Sequence, residues 1–175
     1  SYLPQKYQLW FIASCFWACN HYGRNFQFPI SNFQSISNDK MKKFLKKEQK
    51  KNEMAKYRII GLTLETRPDY INKKEIKWFR ELGCTRVEIG VQSIYDDVLK
   101  LNRRGHDVEE TAKATKLLKD AGFKICYHMM PNLYGSNLKK DLQMFNNLFT
   151  NPLFQPDMIK IYPCVVTKYA DLAKI

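Results

Sequence analysis

No apolar run in this chain approaches the roughly 20 residues that a membrane span needs. The opening residues also lack the basic, apolar and small-residue order of a signal peptide. A chain with neither feature is expected to be cytoplasmic. No disulfide framework is visible: the five cysteines, Cys15, Cys19, Cys84, Cys126 and Cys164, are odd in number and lie among apolar neighbours, as in a reducing compartment. Cys15 and Cys19 supply only half of a CxxxCxxC cluster motif. Its third ligand would fall at Tyr22, and no cysteine follows until Cys84. Two thiols one helical turn apart read as small buried hydrophobes. No Gly-rich loop follows a late strand, which argues against an ordinary phosphate-binding barrel. The initiator Met is absent too, and the chain is expected to be a fragment.

Negative charge is scarce. Against 29 Lys+Arg there are 17 Asp+Glu, a formal net charge of +12 in 175 residues, which points to an anionic partner such as nucleic acid. Half of the surplus lies in residues 39–58, a Lys-rich stretch whose sparse apolar side is Met41, Phe44, Leu45 and Met54. The stretch is either a basic helix that touches nucleic-acid phosphates or a solvated surface helix, and the lack of an aromatic stacking pattern among the lysines favours the second. The 45% apolar content is ample for a folded core.

The chain begins with a predicted helix from Pro4 to near Gly23, with Tyr7, Trp10, Phe11, Ser14, Trp17 and Ala18 at helical spacing. Residues 21–35 read as a loop, and Ser37–Ala55 as the Lys-rich helix. Strand and helix patterns then alternate. Strands are expected at RIIGLTLE (58–65), RVEIGVQS (86–93), KICYHMMP (124–131) and MIKIYP (158–163). Helices are expected at Lys73–Leu82, at Val108–Ala121 after a short turn at Tyr95–Leu101, and at Leu138–Phe149. This alternation implies βα units and a parallel sheet. The organisation expected is residues 1–57 as helices leading into a core at 58–175.

Strand parity separates two faces. Ile60, Leu62, Leu64, Val87, Ile89, Val91, Ile125, Tyr127, Met129, Ile159 and Ile161 fall on one, the face for helices. Glu65, Glu88, Gln92, His128, Lys160 and Tyr162 fall on the other. A doubly wound sheet needs apolar residues on both faces, so an α/β barrel or part-barrel with a polar interior fits better, its chemistry at the C-terminal strand ends. Lys160 on that inner face needs an anionic partner, either Glu65, Glu88 or a bound acyl-CoA or nucleotide group. Glu65, Arg67 and Asp69 form either a functional cluster or an ion-pair knot. Gln92 and Ser93 could bind a ribose or an adenine edge. His128 is either a hydrogen-bonded core histidine or, with Met129, Met130 and Pro131, part of an adenine wall; His106 belongs to a helix-entry turn.

Five blocks carry a specific resemblance: GLTLETRPDYI, LGCTRVEIGVQSIYDDVL, RRGHDVEET, LLKDAGFKICYHMMPNLYGS and QPDMIKIYP. Together they resemble the radical SAM core of the Elongator catalytic subunit from about Gly61 to Pro163, in the same order. The resemblance implies a partial (β/α) barrel of radical SAM type, covering barrel strands three to six, with flanking helices. It implies a 4Fe-4S cluster, S-adenosylmethionine and acetyl-CoA as substrate. The activity implied is carboxymethylation of the tRNA wobble uridine at carbon 5. It assigns Lys160, Tyr162 and Glu65 to catalysis, and Glu65, Arg67, Gln92, Ser93, His128 and Met130 to cofactor binding. The partners implied are tRNA and either Elongator-type subunits or a second copy of the chain. The family's cluster cysteines, its Gly-Gly-Thr turn, its zinc ligands and its acetyltransferase domain have no counterpart in this sequence, so no metal ligand is assigned here. A non-catalytic remnant or split-gene product that binds tRNA or a partner chain is the alternative. Asn132 and Tyr134 stand where the family has Gly and Pro, and should stiffen or reshape their loop; Cys164 replaces a usual Thr.

Overall fold

A computed structural model describes residues 3–23 and 33–174. Most of the loop expected at 21–35 lies outside the described residues. The chain divides into two compact units, residues 1–62 with 78–84, and 63–77 with 85–175.

The first unit is built on α1 (Gln5–Asn20) and α2 (Asn38–Asn52). Both helices match the expected positions, but the aromatic face of α1 is not its buried one. Leu9, Ile12, Ala13 and Phe16 are buried, as are Met41 and Leu45 on α2. Both sides of α1 are rich in apolar residues, so spacing alone cannot choose between them. Gln8 joins the buried side because its Oε1 accepts from Trp78 Nε1 at 2.9 Å and its Nε2 donates to the Leu3 carbonyl at 2.6 Å. A buried polar knot ties the helix ends: Asn20 Nδ2 donates to Glu48 Oε2, and Asn52 Nδ2 to Asn20 Oδ1. Asn52 Oδ1 also accepts from the Ile59 backbone N–H at 2.7 Å. Met54 lies past the end of α2, 91% exposed.

The second unit holds a four-stranded parallel sheet in the order β1-β2-β3-β4. Its strands are β1 (Thr63–Thr66), β2 (Arg86–Gln92), β3 (Lys124–Met129) and β4 (Met158–Ile161). The connecting helices are α3 (Lys73–Leu82, whose last turns belong to the first unit), α4 (Asp96–Leu101), α5 (Val108–Asp120) and α6 (Leu138–Thr150). β1 is shorter than the expected 58–65. Pairing with β2 begins only at Thr63 opposite Arg86, and upstream the Ile59 amide is held by Asn52 instead. Ile60 is consequently 91% exposed.

Val87, Ile89, Val91, Ile125, Tyr127 and Met129 are all fully buried, as parity requires of the helix-covered face. Removing each aliphatic side chain from water stabilises the fold by about 1.5–3 kcal/mol. The buried Tyr127 hydroxyl is hydrogen-bonded to Thr115 on α5. α5 starts with a capping box, Asp107 accepting from the Glu110 N–H while Glu110 accepts from the Asp107 N–H.

Candidate functional site

Parallel register lines up the inner face. Glu65, Glu88, Cys126 and Met158 are consecutive partners across the four strands, and His128 stands opposite Lys160. Glu88 is the centre of this face. Its Oε2 accepts from His128 Nε2 at 2.6 Å and from Lys160 Nζ at 2.6 Å, while Oε1 lies 3.4 Å from the Arg86 guanidinium. His128 Nδ1 is 3.4 Å from Glu65 Oε1. The Tyr162 ring meets the His128 imidazole edge-on, centroids 5.5 Å apart. Glu65, His128, Lys160 and Tyr162, expected together from sequence, thus form one cluster around Glu88.

The electrostatics follow from this geometry. Burial alone would raise the Glu88 carboxyl, but hydrogen bonds and charge from Lys160 and His128 outweigh it and hold the carboxyl below its ordinary range. The hydrogen bond to Glu88 raises Lys160, with burial opposing it. Burial, and secondarily the Glu88 charge, raises the Cys126 thiol and keeps it protonated. Glu88, Cys126 and His128 have donor atoms within 4.8 Å of one another. The carboxylate they share is already neutralised by Lys160 and Arg86, which makes this an ion-pair cluster rather than a cation site.

A second cluster lies at the C-terminal end of β2. The register slips between Ile89 and Gln92, and Gln92 takes a positive φ of 67°. Its amide folds over Gly90, where an added Cβ would stand 3.0 Å from Gln92 Nε2 and 3.8 Å from an Arg104 terminal nitrogen. Gln92 Oε1 and Arg104 Nε are both buried without a hydrogen-bond partner among the described residues. Burial, then the nearby Arg67 charge, lowers Arg104. Gln92 and Arg104 each leave a buried polar atom for a ligand to pair, Gln92 Oε1 as an acceptor for an amine or hydroxyl and Arg104 Nε as a cationic donor for a carboxylate.

The remaining expected residues lie at strand ends. Arg67 forms a fork with Asp69 (2.9 and 2.6 Å), donates to the Gly105 carbonyl and stacks on Tyr70. Ser93 is buried, its Oγ accepting from the Tyr95 N–H. Met130 is half-buried and donates its backbone N–H to the Gln92 carbonyl. His106 precedes the α5 cap, as expected of a helix-entry residue, with Nε2 3.2 Å from the Val91 carbonyl. Asn132 has φ 64°, a left-handed conformation that Asn tolerates in place of Gly. Asp141 accepts from its N–H and from Ser136 Oγ, holding this loop. Sequence reasoning missed Arg104 and Gly90. Arg104 lies in the quoted RRGHD block, but no periodicity marks which of two adjacent arginines turns inward.

Among the described residues no three thiols converge: the group of possible metal ligands found there, Glu88, Cys126 and His128, holds a single cysteine. Cys15 and Cys19 lie half-buried on α1, Cys84 is buried and Cys164 is half-buried. Among the described residues, too, no helix is long and apolar enough to cross a membrane.

A parallel βα sheet whose inner polar face ends in these clusters defines the class. The chain belongs to the radical SAM superfamily, whose family model matches residues 36–147. Among its relatives is the tRNA uridine(34) acetyltransferase of Methanocaldococcus infernus, 48% identical over 167 residues, 95% of this chain and 28% of that protein. Human Elongator complex protein 3 is 43% identical over 126 residues, 72% of this chain and 23% of the relative. The solved structure of the archaeal Methanocaldococcus infernus Elp3 with an N-terminal deletion superposes with a TM-score of 0.82 at 47% identity, covering 98% of this chain and 36% of that one. Coproporphyrinogen III oxidase from Escherichia coli, a radical SAM enzyme, shares the fold at TM-score 0.55 and 17% identity. The chain therefore spans little more than a quarter of the length of the curated archaeal relative.

Proposed function

We propose that this chain is the central barrel segment of a tRNA wobble-uridine-modifying enzyme that uses S-adenosylmethionine and acetyl-CoA. The observation that carries the reading is its 48% identity, over 95% of its length, to a tRNA uridine(34) acetyltransferase. The inner face supports it with two complementary sites. Gln92 Oε1 and Arg104 Nε are the open partners for the amino-acid and ribose portions of S-adenosylmethionine, with Gly90 leaving room for the Gln92 amide. When bound with its cluster, that cofactor supplies radical initiation. Lys160 and Tyr162 present an ammonium and a phenol for an acyl thioester or nucleotide group. Residues 1–57 form the lead-in and 58–175 the core, acting in the cytoplasm on tRNA, with Elongator-type subunits or a second copy as partners.

The cysteines present do not fit the cluster, so this chain's own contribution is to bind and position cofactor and substrate. The same observation favours a second reading for this segment alone, a non-catalytic piece that binds tRNA or a partner chain. Iron and sulfide reconstitution of the longest natural reading frame separates the two. 5′-Deoxyadenosine and acetyl-CoA-dependent modified uridine are expected. Iron uptake without cleavage of S-adenosylmethionine would leave the second reading.

A further inference from the structure

β2 and β4 are not neighbours. β3 runs between them, so their inner-face side chains start two strand spacings apart, roughly 10 Å. Lys160 nevertheless reaches Glu88 at 2.6 Å. Its own register partner is His128, and Glu88's is Cys126, so the bond spans the strip of β3 that carries those two residues. Cys126 is small and fully covered, and His128 turns its Nε2 to the same Glu88 oxygen. The lysine side chain stays 43% exposed while the Glu88 side chain is 5% exposed, so water alone would let the ammonium extend outward.

We propose that Glu88 is the positioning residue of the inner face: it draws the Lys160 ammonium across β3 and fixes it beside His128 and Tyr162, where a substrate would meet it. This rests on the reading above that Lys160 faces substrate. An ammonium held by one buried carboxylate oxygen has lost most of its rotamer freedom before any ligand arrives. His128, sharing that oxygen, is orientated by the same group. Its Nε2 donates to Glu88 Oε2, and its Nδ1 lies 3.4 Å from the Glu65 carboxylate. The groups that face Lys160 are Glu88 from β2, Cys126 and His128 from β3, and Tyr162 beyond its own strand; behind them Arg86 lies against Glu88, and Glu65 against His128.

Competitive amine labelling of the full-length natural protein, read at Lys160 by mass spectrometry across pH 7–11, tests this without tRNA, S-adenosylmethionine or acetyl-CoA. In wild type Lys160 should label later in the titration than exposed lysines. Glu88→Gln should advance it, moving the Lys160 titration to lower pH and raising its labelling at pH 9 above that of wild type. His128→Asn should leave Lys160 late. Identical Lys160 titration in wild type and Glu88→Gln overturns the proposal. So does a wild-type Lys160 that titrates with the exposed lysines, a result that stands even where the variant does not fold. In a parallel turnover assay, Glu88→Gln should keep forming 5′-deoxyadenosine while modified uridine falls at least tenfold, mainly in kcat. Absence of modified uridine in wild type would count against the functional reading and leave the labelling result intact.

Discussion

His128 stands between two carboxylates of unlike surroundings: Glu88, 2.6 Å from Nε2 and 5% exposed, and Glu65, 3.4 Å from Nδ1 and 65% exposed. The buried carboxylate makes the short bond, and the open one is left to water.

That asymmetry gives Glu88 a pH signature. Its folded-state pKa lies below the ordinary value, so its stabilisation is complete above the unfolded value near 4 and is lost as pH falls through the folded one. Lys160 is raised, so its contribution is complete below the unfolded lysine value near 10 and fades as pH rises through the folded one. Chemical denaturation from pH 3 to 11 should show both limbs in wild type. Glu88→Gln should flatten each and cost about 1–3 kcal/mol near pH 7, the usual loss when a buried network loses one partner.

Arg104 offers a test in the opposite direction. A buried guanidinium nitrogen without a partner among the described residues is a penalty to folding that a bound ligand would relieve. Arg104→Met should leave thermal stability unchanged or raise it slightly, while weakening S-adenosylmethionine binding to the reconstituted full-length protein by tenfold or more. A clear loss of melting temperature would mean that Arg104 is a structural residue.

Gly90→Ala probes the same place by volume. The new methyl would stand 3.0 Å from Gln92 Nε2, the far end of a side chain that can move. Stability should change by less than about 1 kcal/mol. Equilibrium dialysis should show S-adenosylmethionine affinity reduced roughly tenfold, equivalent to about 1.4 kcal/mol, because the displaced amide no longer presents Oε1.

The loop after β3 can be checked through backbone conformation alone. Asn132 at φ 64° should accept Gly with little change in denaturation midpoint. Asn132→Val should destabilise by about 1–3 kcal/mol, since a β-branched residue is strained in the left-handed region.

Most of the fold could be read from the chain because its signals are local. Alternating strands such as RVEIGVQ and the Gly stops after α3 and α5 each act within a few residues. The gathering of Glu65, His128, Lys160 and Tyr162 was legible for the same reason, since parity within a parallel sheet puts them on one side. Three things were not. The buried face of α1 depends on Gln8 meeting Trp78, a contact 70 residues away. The start of β1 depends on where its partner β2 begins. Arg104 gains its meaning only once α4 brings it over Gly90, which neither charge nor spacing announces.

The slip in β2 between Ile89 and Gln92 makes that strand a counted object. Side chains alternate with every residue, so one surplus position sets the phase of everything beyond it. Dropping a residue there would turn Val91 toward the hollow and Gln92 toward the helices, swapping grease for amide at a stroke. Length is therefore as constrained as chemistry along this stretch. Relatives should differ in size only in the loops between strands, not within β2.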